Sequence, residues 1–439
     1  MKVLALFSLI APLASAVVIP DKVITYDGYR VVRIATHGRG QAIEKRLKTL
    51  NAVQYNFDTQ ERIEIAIAPE DLRRFEKMNL EYEVLDEDLG ASIIAEGGFS
   101  PASAGRRIFS SLNELTPAAF PDLSWFNAYH TFAEHQQWLV DIQSGFPENS
   151  ELIEVGRSYE DKPINGIHLW GKGGKDSKPA VLWHGTVHAR EWISAMVVEY
   201  LTYGLIAGYN SNDTKVHSIL DNYDFYILPV VNPDGFVYTQ TTNRLWRKSR
   251  QKHPSNSCAG TDINRNWAFK WDTPGGSSTN PCDETFRGLS PGNTPENTAL
   301  TKHAEALAAD KGIKLYIDWH SFSQLILLPY GYDCNRQVAN YERQMSLANG
   351  VASAIAGASS AKTRFKPGAT CPSLYKAVGG STDWMQDVGG AEISWCIELR
   401  PSGGFGGSGF VLPANQIKPS GEEMWQGMLH LLTTMRRAI

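Results

Sequence analysis

His188 and Glu191 stand three residues apart in the stretch Trp183–Trp192, which reads WHGTVHAREW. That spacing is one helical turn or a tight loop after a strand, so both side chains can point at one ion. An imidazole and a carboxylate suit Zn²⁺, and a catalytic zinc takes three protein ligands and a water. The pair predicts a metal site only if a third ligand comes from elsewhere, because a surface His–Glu pair has the same spacing.

The third ligand is expected from the elements that surround this stretch. Four apolar runs alternate little and are typical of buried strands: Ala180–His184, Phe225–Val231, Leu315–Trp319 and Ile393–Leu399. Segments of helical length lie between them: Ile193–Gly208, Pro295–Lys311 and Glu342–Ala358. This order predicts an α/β fold, a mostly parallel sheet with helices on both faces. Ligands of such sheets bind beyond the carboxyl ends of the strands. His320 follows one of these runs, which makes it the predicted third ligand.

Glu398 ends another apolar run, ISWCIE. A carboxylate in an apolar strand is costly unless it is paired. Two interpretations stay open, namely a buried ion pair with Arg400 and a general base with a tuned pKa beside the metal.

Cationic and amide side chains cluster in two further stretches, NRLWRKSR over Asn243–Arg250 and DINRNW over Asp262–Trp267. A solvated charged face is one interpretation. The interleaved Trp246 and Trp267 favour a partly buried patch that holds an anion. Arginine suits this task because it grips a carboxylate through two parallel hydrogen bonds.

The composition is that of a globular protein, with 42% hydrophobic and 20% charged residues. A length of 439 residues exceeds one ordinary core and predicts two folded units. The formal net charge of −5 comes without a basic stripe, so no nucleic-acid partner is expected. Nothing indicates an obligate oligomer, and a monomer is expected.

The N-terminus has the pattern of a secretory signal peptide. Met1-Lys2 is followed by the mostly apolar stretch Val3–Ala14, and Ala14-Ser15-Ala16 fits a cleavage site. The run is shorter than the roughly 20 residues that span a bilayer. We therefore expect a secreted, extracellular protein with no membrane segment.

Upstream of the apolar runs, Val17 to about Glu96 has the pattern of a small α+β unit. Its expected strands are Tyr29–Ala35, Arg62–Ala68 and Tyr82–Leu85, and its expected helices are Gln41–Leu50 and Pro69–Met78. Gly97–Leu115 is interpreted as an exposed linker, in which Arg106-Arg107 is a plausible processing site. The large unit is expected to open with a helix over Tyr129–Ile142 and a hairpin over Gly156–Trp170. The predicted division is residues 1–16, 17–112 and 113–439.

Export permits disulfides, and there are five cysteines. Cys396 lies in a strand-like run, where a buried thiol is expected. The other four can form two bridges whose pairing the spacing does not decide: Cys258, Cys282, Cys334 and Cys371. Asn212-Asp213-Thr214 is a glycosylation sequon.

Eight motifs stand together over Pro117–Ile439: HAREW, VVNPDG, NRLWRKSR, DINRNW, PCDETFRG, DWHSFSQL, LYKAVGGSTDW and IELR. Their order and spacing resemble the zinc metallocarboxypeptidases of the pancreatic carboxypeptidase A type. The upstream α+β unit resembles the activation propeptide of that family. The resemblance implies a secreted zinc exopeptidase, made as a latent zymogen that a protease activates near Arg107.

The resemblance also implies a role for each matching residue. His188, Glu191 and His320 match the ligands of one Zn²⁺, Asp262 the carboxylate that orients the first ligand, and Glu398 the general acid/base. Arg247 matches the residue that stabilises the oxyanion, Asn264 and Arg265 those that grip the substrate carboxylate, and Tyr375 the mobile tyrosine. Arg190, Ser321 and Phe322 match subsite positions. The family's disulfides correspond to Cys258–Cys282 and Cys334–Cys371.

The specificity pocket of the family maps to uncharged residues here. Its floor matches Thr382, and its walls match Leu327, Thr370, Ala377 and Cys396, whereas the adjacent Asp383 matches a structural residue. We therefore expect hydrophobic or aromatic C-terminal residues of peptides as substrates. The glycine-dense stretch Gly403–Gly409 departs from the family pattern. The alternatives are a zinc amidohydrolase or deacylase on the same scaffold and a non-catalytic peptide-binding relative.

Overall fold

The computed structural model describes residues 22–57, 61–97, 99, 108–109, 111–254, 256–358, 362–402 and 409–436. Within these ranges the chain forms a four-stranded sheet near the N-terminus and an eight-stranded sheet in the remainder. The predicted signal peptide, Arg106-Arg107 and residues 403–408 lie outside the described residues.

The N-terminal unit is α+β, as predicted. Its sheet has the order β2-β3-β1-β4, and all pairs are antiparallel. The strands are β1 Arg30–Ala35, β2 Ala52–Gln54, β3 Arg62–Ile67 and β4 Tyr82–Asp86, and the helices are Gly40–Leu47, Leu72–Glu76 and Leu89–Glu96. The helix expected over Pro69–Met78 is instead a 3-10 turn, Pro69–Asp71, followed by a short α-helix. The chain bends at Asp71, whose carboxylate accepts the backbone N–H of Asn51 at 2.7 Å.

The large unit is built on a mixed sheet with the order β11-β10-β12-β9-β7-β8-β6-β5. Its strands are β5 Ser150–Arg157, β6 Pro163–Leu169, β7 Ala180–Gly185, β8 Asp224–Leu228, β9 Ile313–Ser321, β10 Leu325–Leu328, β11 Lys366–Ala369 and β12 Ile393–Leu399. The central pairs β8·β7, β7·β9 and β9·β12 are parallel, whereas β5·β6, β6·β8 and β10·β12 are antiparallel. The predicted fold class is confirmed.

Helices cover both faces of this sheet. They are Phe132–Ser144, Trp192–Asn210, Thr214–Leu220, Pro233–Thr241, Pro295–Asp310, Tyr341–Ala358, Thr370–Ser373, Ser381–Asp387 and Ile417–Thr434. Neighbouring residues of β7 belong to different cores, since Trp183 packs in the larger core and Leu182 in the smaller one. A strand buried on both faces has no polar side, which explains why its sequence does not alternate. None of the helices in the described ranges is both long and apolar enough to cross a membrane.

Several predicted boundaries differ from the structure for local reasons. β9 continues through Ser321 because its parallel pairing with β12 extends to Leu399, so His320 lies within the strand rather than after it. The first helix of the large unit begins at Phe132, since Thr131 and Glu134 form a capping box there. The predicted linker is not uniformly exposed, because Leu112 is buried.

Candidate active site

Three side chains converge at the carboxyl edge of the large sheet. His188 and Glu191 lie in the loop between β7 and the helix Trp192–Asn210, and His320 lies in β9. The Nδ1 atom of His188 is 2.9 Å from Glu191 Oε1 and 3.0 Å from His320 Nδ1. His320 Nδ1 is 3.1 Å from Glu191 Oε2. Ligands about 2.1 Å from a tetrahedral zinc lie about 3.4 Å apart, so the three predicted ligands are placed to hold one ion.

The outer ring nitrogens of both histidines face carboxylates. His188 Nε2 is 3.2 Å from Asp262 Oδ1, and His320 Nε2 is 3.1 Å from Asp318 Oδ2. A carboxylate in this position holds the imidazole proton and leaves the Nδ1 lone pair facing the centre. The chemistry of this donor set therefore fits zinc. Asp318 was not predicted, although it stands two residues before His320, where a strand places side chains on the same face.

The charged side chains at this centre shift one another's pKa values. Burial would raise the pKa of Glu191, but His188 and His320 outweigh it and hold that pKa well below its usual range. Burial would lower the pKa of His320, but Asp318 and Glu191 raise it well above its usual value. The carboxylates around His320 thus favour positive charge at the centre, which is the property that a cation site needs.

Glu398 is the carboxylate next to this centre. In the parallel pairing of β12 with β9, Glu398 lies opposite His320. Arg400 does not pair with it, because its Nε donates to Glu423 Oε1 at 2.9 Å. Burial raises the pKa of Glu398 to about 8, against the attraction of His320. A carboxyl group that titrates near neutral pH can both accept and return a proton.

Arg247 is held against the centre by Asp262. Its Nη2 and Nε atoms both donate to Asp262 Oδ2, at 2.9 and 3.2 Å, and its Nη1 is 4.0 Å from Glu191 Oε1. Burial would raise the pKa of Asp262, but Arg247 and other nearby cations hold it well below its usual range. One ionised carboxylate therefore orients both His188 and Arg247.

Arg265, Asn264 and Tyr375 lie together beside the centre. Arg265 Nη2 donates to the hydroxyl of Tyr375 at 3.2 Å, and its Nη1 donates to the carbonyl of Asn264 at 2.8 Å. The side chain of Asn264 accepts the backbone N–H of Ser381 at 2.8 Å and lies 3.3 Å from His320 Nε2. The predicted anion-binding group is thus assembled, with Asn264 hydrogen-bonded inside the protein.

Comparison with known proteins decides the family. The zinc carboxypeptidase family, peptidase family M14, matches residues 135–427. A metallocarboxypeptidase A of Arthroderma otae is 40% identical over 412 residues, which cover 93% of each chain. The chain belongs to the zinc carboxypeptidase family. It is a metallocarboxypeptidase, a peptide hydrolase, as predicted.

Two solved structures share the fold of this carboxypeptidase. The crystal structure of thrombin-activatable fibrinolysis inhibitor aligns with a TM-score of 0.81 at 27% identity, covering 94% of this chain and 100% of that one. Carboxypeptidase A from Helicoverpa armigera aligns with a TM-score of 0.76 at 26% identity, covering 94% and 99%.

In this carboxypeptidase the N-terminal unit lies over the centre. The ring of Phe57 is 6.2 Å from that of Tyr375 and 5.1 Å from the guanidinium carbon of Arg247. The ring of Tyr55 packs against Phe410 at 5.1 Å. The chain just after β2 therefore fills space next to the predicted catalytic groups.

A buried ion pair fastens the two units together. Glu96, the last residue of the helix Leu89–Glu96, accepts from Arg244 Nε at 2.7 Å and from Arg244 Nη2 at 2.8 Å. Arg244 also donates to the carbonyls of Arg190 and Phe410, and its guanidinium lies 3.7 Å from the ring of Trp192. Sequence reasoning missed this pair, because its members are 148 residues apart and neither stands in a recognisable pattern with the other.

The three predicted subsite residues occupy different surroundings. Arg190 is fully buried, donates to the carbonyl of Leu245 at 3.3 Å, and stacks on Phe410 at 4.0 Å. The backbone N–H of Ser321 donates to Glu191 Oε2 at 3.1 Å, so this residue supports the predicted metal ligand. Phe322 packs edge-on against Phe410.

The predicted pocket residues come from neighbouring elements. Leu327 of β10 lies opposite Cys396 of β12, and Thr370 follows β11 directly. Thr382 lies in the helix Ser381–Asp387, whose first residue is hydrogen-bonded to Asn264.

Ala377, the remaining predicted pocket residue, is held by a backbone hydrogen bond. Its N–H donates to the carbonyl of Gly331 at 2.9 Å. Asp383 accepts the backbone N–H groups of Gly331 and Tyr332 at 3.0 Å. These hydrogen bonds of the carboxylate are to backbone N–H groups, which agrees with a structural role.

The structure contains the two disulfides that the resemblance implied and the buried thiol that the sequence predicted. The structure joins Cys258 to Cys282 and Cys334 to Cys371 and leaves Cys396 as a buried thiol. Asn212 is exposed and follows the helix Trp192–Asn210. Its backbone has a positive φ of 61°, which asparagine tolerates better than most residues.

Proposed function

We propose that this zinc carboxypeptidase is a secreted exopeptidase that is made as a latent zymogen and releases hydrophobic or aromatic C-terminal residues from peptides. The observation that carries the proposal is the placement of Arg265 and Tyr375 beside the convergent set His188, Glu191 and His320. Arg265 can bind the terminal carboxylate of a peptide, and it lies beside a metal-ligand set that can activate water.

Each step follows from the chemistry of the named groups. His188, Glu191 and His320 would hold a zinc ion, whose Lewis acidity would activate water and the scissile carbonyl. Glu398 accepts the proton of the attacking water and returns it to the leaving amine. Arg247 donates to the oxyanion that forms at the carbonyl. Arg265 binds the terminal carboxylate, which a bond in the middle of a chain lacks.

The preference for uncharged side chains rests on the pocket. Thr382, Thr370 and Leu327 carry no charge, and the carboxylate of Asp383 is bonded to the backbone. A lysine or arginine side chain would lose its hydration there without gaining a counter-ion. Apolar and aromatic side chains lose no such solvation.

Latency is supported by the contacts of the N-terminal unit. Phe57 lies against Arg247 and Tyr375, where a substrate would bind. The Glu96–Arg244 pair holds the unit in this position. Cleavage in the segment that contains Arg106-Arg107 would let the unit leave the site. Secretion, a glycan on Asn212 and a monomeric state are parts of the same proposal.

The test is to cleave the purified chain between Gly97 and Leu115 and to assay it on blocked dipeptides that end in Phe or Arg. We expect release of Phe but not Arg, and loss of release with a zinc chelator. Release of Arg would contradict the assigned pocket. No release from either dipeptide would favour a binding protein or another zinc hydrolase.

Latency is tested separately with the same substrates. The uncleaved chain should be far less active than the cleaved chain at equal zinc content. Equal activity of the two forms would show that the N-terminal unit does not block the site.

A further inference from the structure

A second histidine–carboxylate group, here called the amino-edge cluster, consists of His168, Asp176 and Asp224. His168 lies in β6, Asp224 begins β8, and Asp176 lies in the turn between β6 and β7. One ligand atom from each residue lies within 4.8 Å of the others. β8 runs parallel to β7, so its first residue lies at the edge of the sheet opposite the active site.

Two buried polar atoms in this cluster have no hydrogen-bond partner within the described part of the chain. They are His168 Nε2 and Asp224 Oδ1, and both side chains are essentially inaccessible to solvent. Buried polar groups are nearly always hydrogen-bonded, so two such atoms at one place need an explanation. His168 Nε2 is 4.0 Å from Asp224 Oδ2, which is too long for a direct hydrogen bond. Asp224 Oδ2 already accepts the N–H groups of Ser177 and Lys178, so a shared ligand would bind His168 Nε2 and the unpartnered Asp224 Oδ1.

The neighbours of His168 orient its ring toward that gap. Its Nδ1 is 3.4 Å from Glu151 Oε1 and 3.9 Å from Asp176 Oδ1, so a proton on Nδ1 leaves the lone pair on Nε2, the nitrogen that faces Asp224. The ring stacks on Tyr226 at 4.1 Å, and the Tyr226 hydroxyl donates to Asp176 Oδ1 at 2.7 Å. Metal-binding histidines are commonly held in this way, by a carboxylate at the other nitrogen.

The net charge around the cluster is negative, which favours the binding of a divalent cation. Glu151, Asp176 and Asp224 are acidic, and the neighbouring cations are Lys175, with its Nζ 2.6 Å from Glu151 and 3.8 Å from Asp176, and Lys178, whose charge acts on Asp224. Three ionised carboxylates and two ammonium groups sum to about −1. Lys175 is half exposed, so it can move away from the cluster.

Burial lowers the pKa of the nearby His303 to about 4, so His303 is neutral at pH 7 and adds no competing charge.

We propose that the amino-edge cluster binds a divalent transition-metal cation, with Zn²⁺ as the expected occupant. One imidazole and two carboxylates form a donor set that suits Zn²⁺, whereas Ca²⁺ and Mg²⁺ prefer oxygen ligands alone. The cation links the β6–β7 turn to β6 and β8. Because its ligands come together only in the folded chain, its binding stabilises the native state.

The test is equilibrium dialysis of the protein, with its active-site zinc already bound, against micromolar Zn²⁺. We expect a second zinc per chain. Asp176→Asn should weaken this second equivalent at least tenfold without changing the first or the peptidase activity. Lys175→Ala should strengthen it, since it removes a competing cation.

Asp161→Asn is the matched control. Asp161 is also an exposed aspartate with a positive φ, 62° against 55° at Asp176, but it lies in the turn between β5 and β6, outside the cluster. This variant should bind the second zinc as the parent chain does. A second zinc that is unaffected by Asp176→Asn, or uptake of only one zinc by the parent chain, would overturn the proposal. Displacement of the second zinc by equimolar Ca²⁺ would also overturn it, because an imidazole ligand disfavours that ion.

Discussion

The two edges of the large sheet each carry histidine among carboxylates, but they differ in how those groups are satisfied. At the carboxyl edge, His188 and His320 each have a carboxylate at the outer nitrogen. At the amino edge, His168 Nε2 faces Asp224 across 4.0 Å with no hydrogen-bond partner among the described residues. Strand ends bring such groups together at both edges.

The carboxyl edge also has groups arranged for a reaction. Glu398, Arg247 and Arg265 lie around its histidines, and the N-terminal unit covers them. The charged neighbours of the amino-edge cluster include Lys175 and Glu151, which are partly exposed, and Lys178. Convergent ligands can therefore support cation binding, whereas catalysis requires an additional base and additional cations at fixed positions.

The largest expected effect on activity comes from a substitution that removes the predicted base from the carboxyl edge. Glu398→Gln should lower kcat of the cleaved enzyme about 10²- to 10⁴-fold, because an amide of the same shape cannot accept a proton. KM and zinc content should change little, and both are measured beside the rate. Glu305→Gln, at an exposed glutamate of the helix Pro295–Asp310, is the control. A loss below tenfold would assign the base to another group.

The next effect concerns the cover of this edge. Glu96→Ala leaves Arg244 buried without its carboxylate, which costs about 3–5 kcal/mol. The open fraction of the uncleaved chain should rise about 100-fold or more, measured as peptidase activity before cleavage. Glu87→Gln changes an exposed pair with Arg30 within the N-terminal unit and should have no effect. Unchanged latency in Glu96→Ala would show that other contacts hold the unit in place.

A third change tests the pocket at the same edge. Thr382→Asp places a carboxylate at the predicted floor and should raise the ratio of Arg to Phe release about tenfold to 100-fold. Thr382→Asn is the matched control, since it adds similar volume without charge. Equal ratios in the two variants would place the floor of the pocket elsewhere.

The smallest expected effect is on the stability of the amino edge, measured without added metal. The folded-state pKa of Asp224 is about 6, above its ordinary value of 3.8, so stability falls as the pH rises from the lower value to the higher one, and the loss is complete above the folded-state pKa. Asp224→Asn removes this loss. Its stability relative to the parent should therefore be about 1 kcal/mol more favourable at pH 8 than at pH 5. Thermal unfolding at the two pH values measures the difference, and a pH-independent difference would contradict it.

Much of the central sheet was predictable because its strands are buried on both faces. β7 and β12 match the predicted runs within one residue. A short uninterrupted apolar run is typical of a strand that is buried on both faces of a sheet. β10 and β11 were not predicted, because four residues carry too little periodicity. The helix Ile417–Thr434 was also missed, although its buried residues Met424, Met428 and Leu431 follow helical spacing.

The sequence by itself determined the family and predicted the ligand set of the carboxyl edge. Motif order predicted His188, Glu191 and His320 as ligands, and the spacing of the first two follows from a short loop after a strand. Such spacings depend only on neighbouring residues, so they can be read without knowledge of the fold.

Only the tertiary structure decided which partners these residues have. Asp262 reaches His188 across 74 positions, Arg400 turns to Glu423 rather than to Glu398, and Asp224 meets His168 on the opposite edge. Each choice depends on how strands and helices pack at long range. Periodicity and composition record which faces are buried, but not which distant groups meet on them.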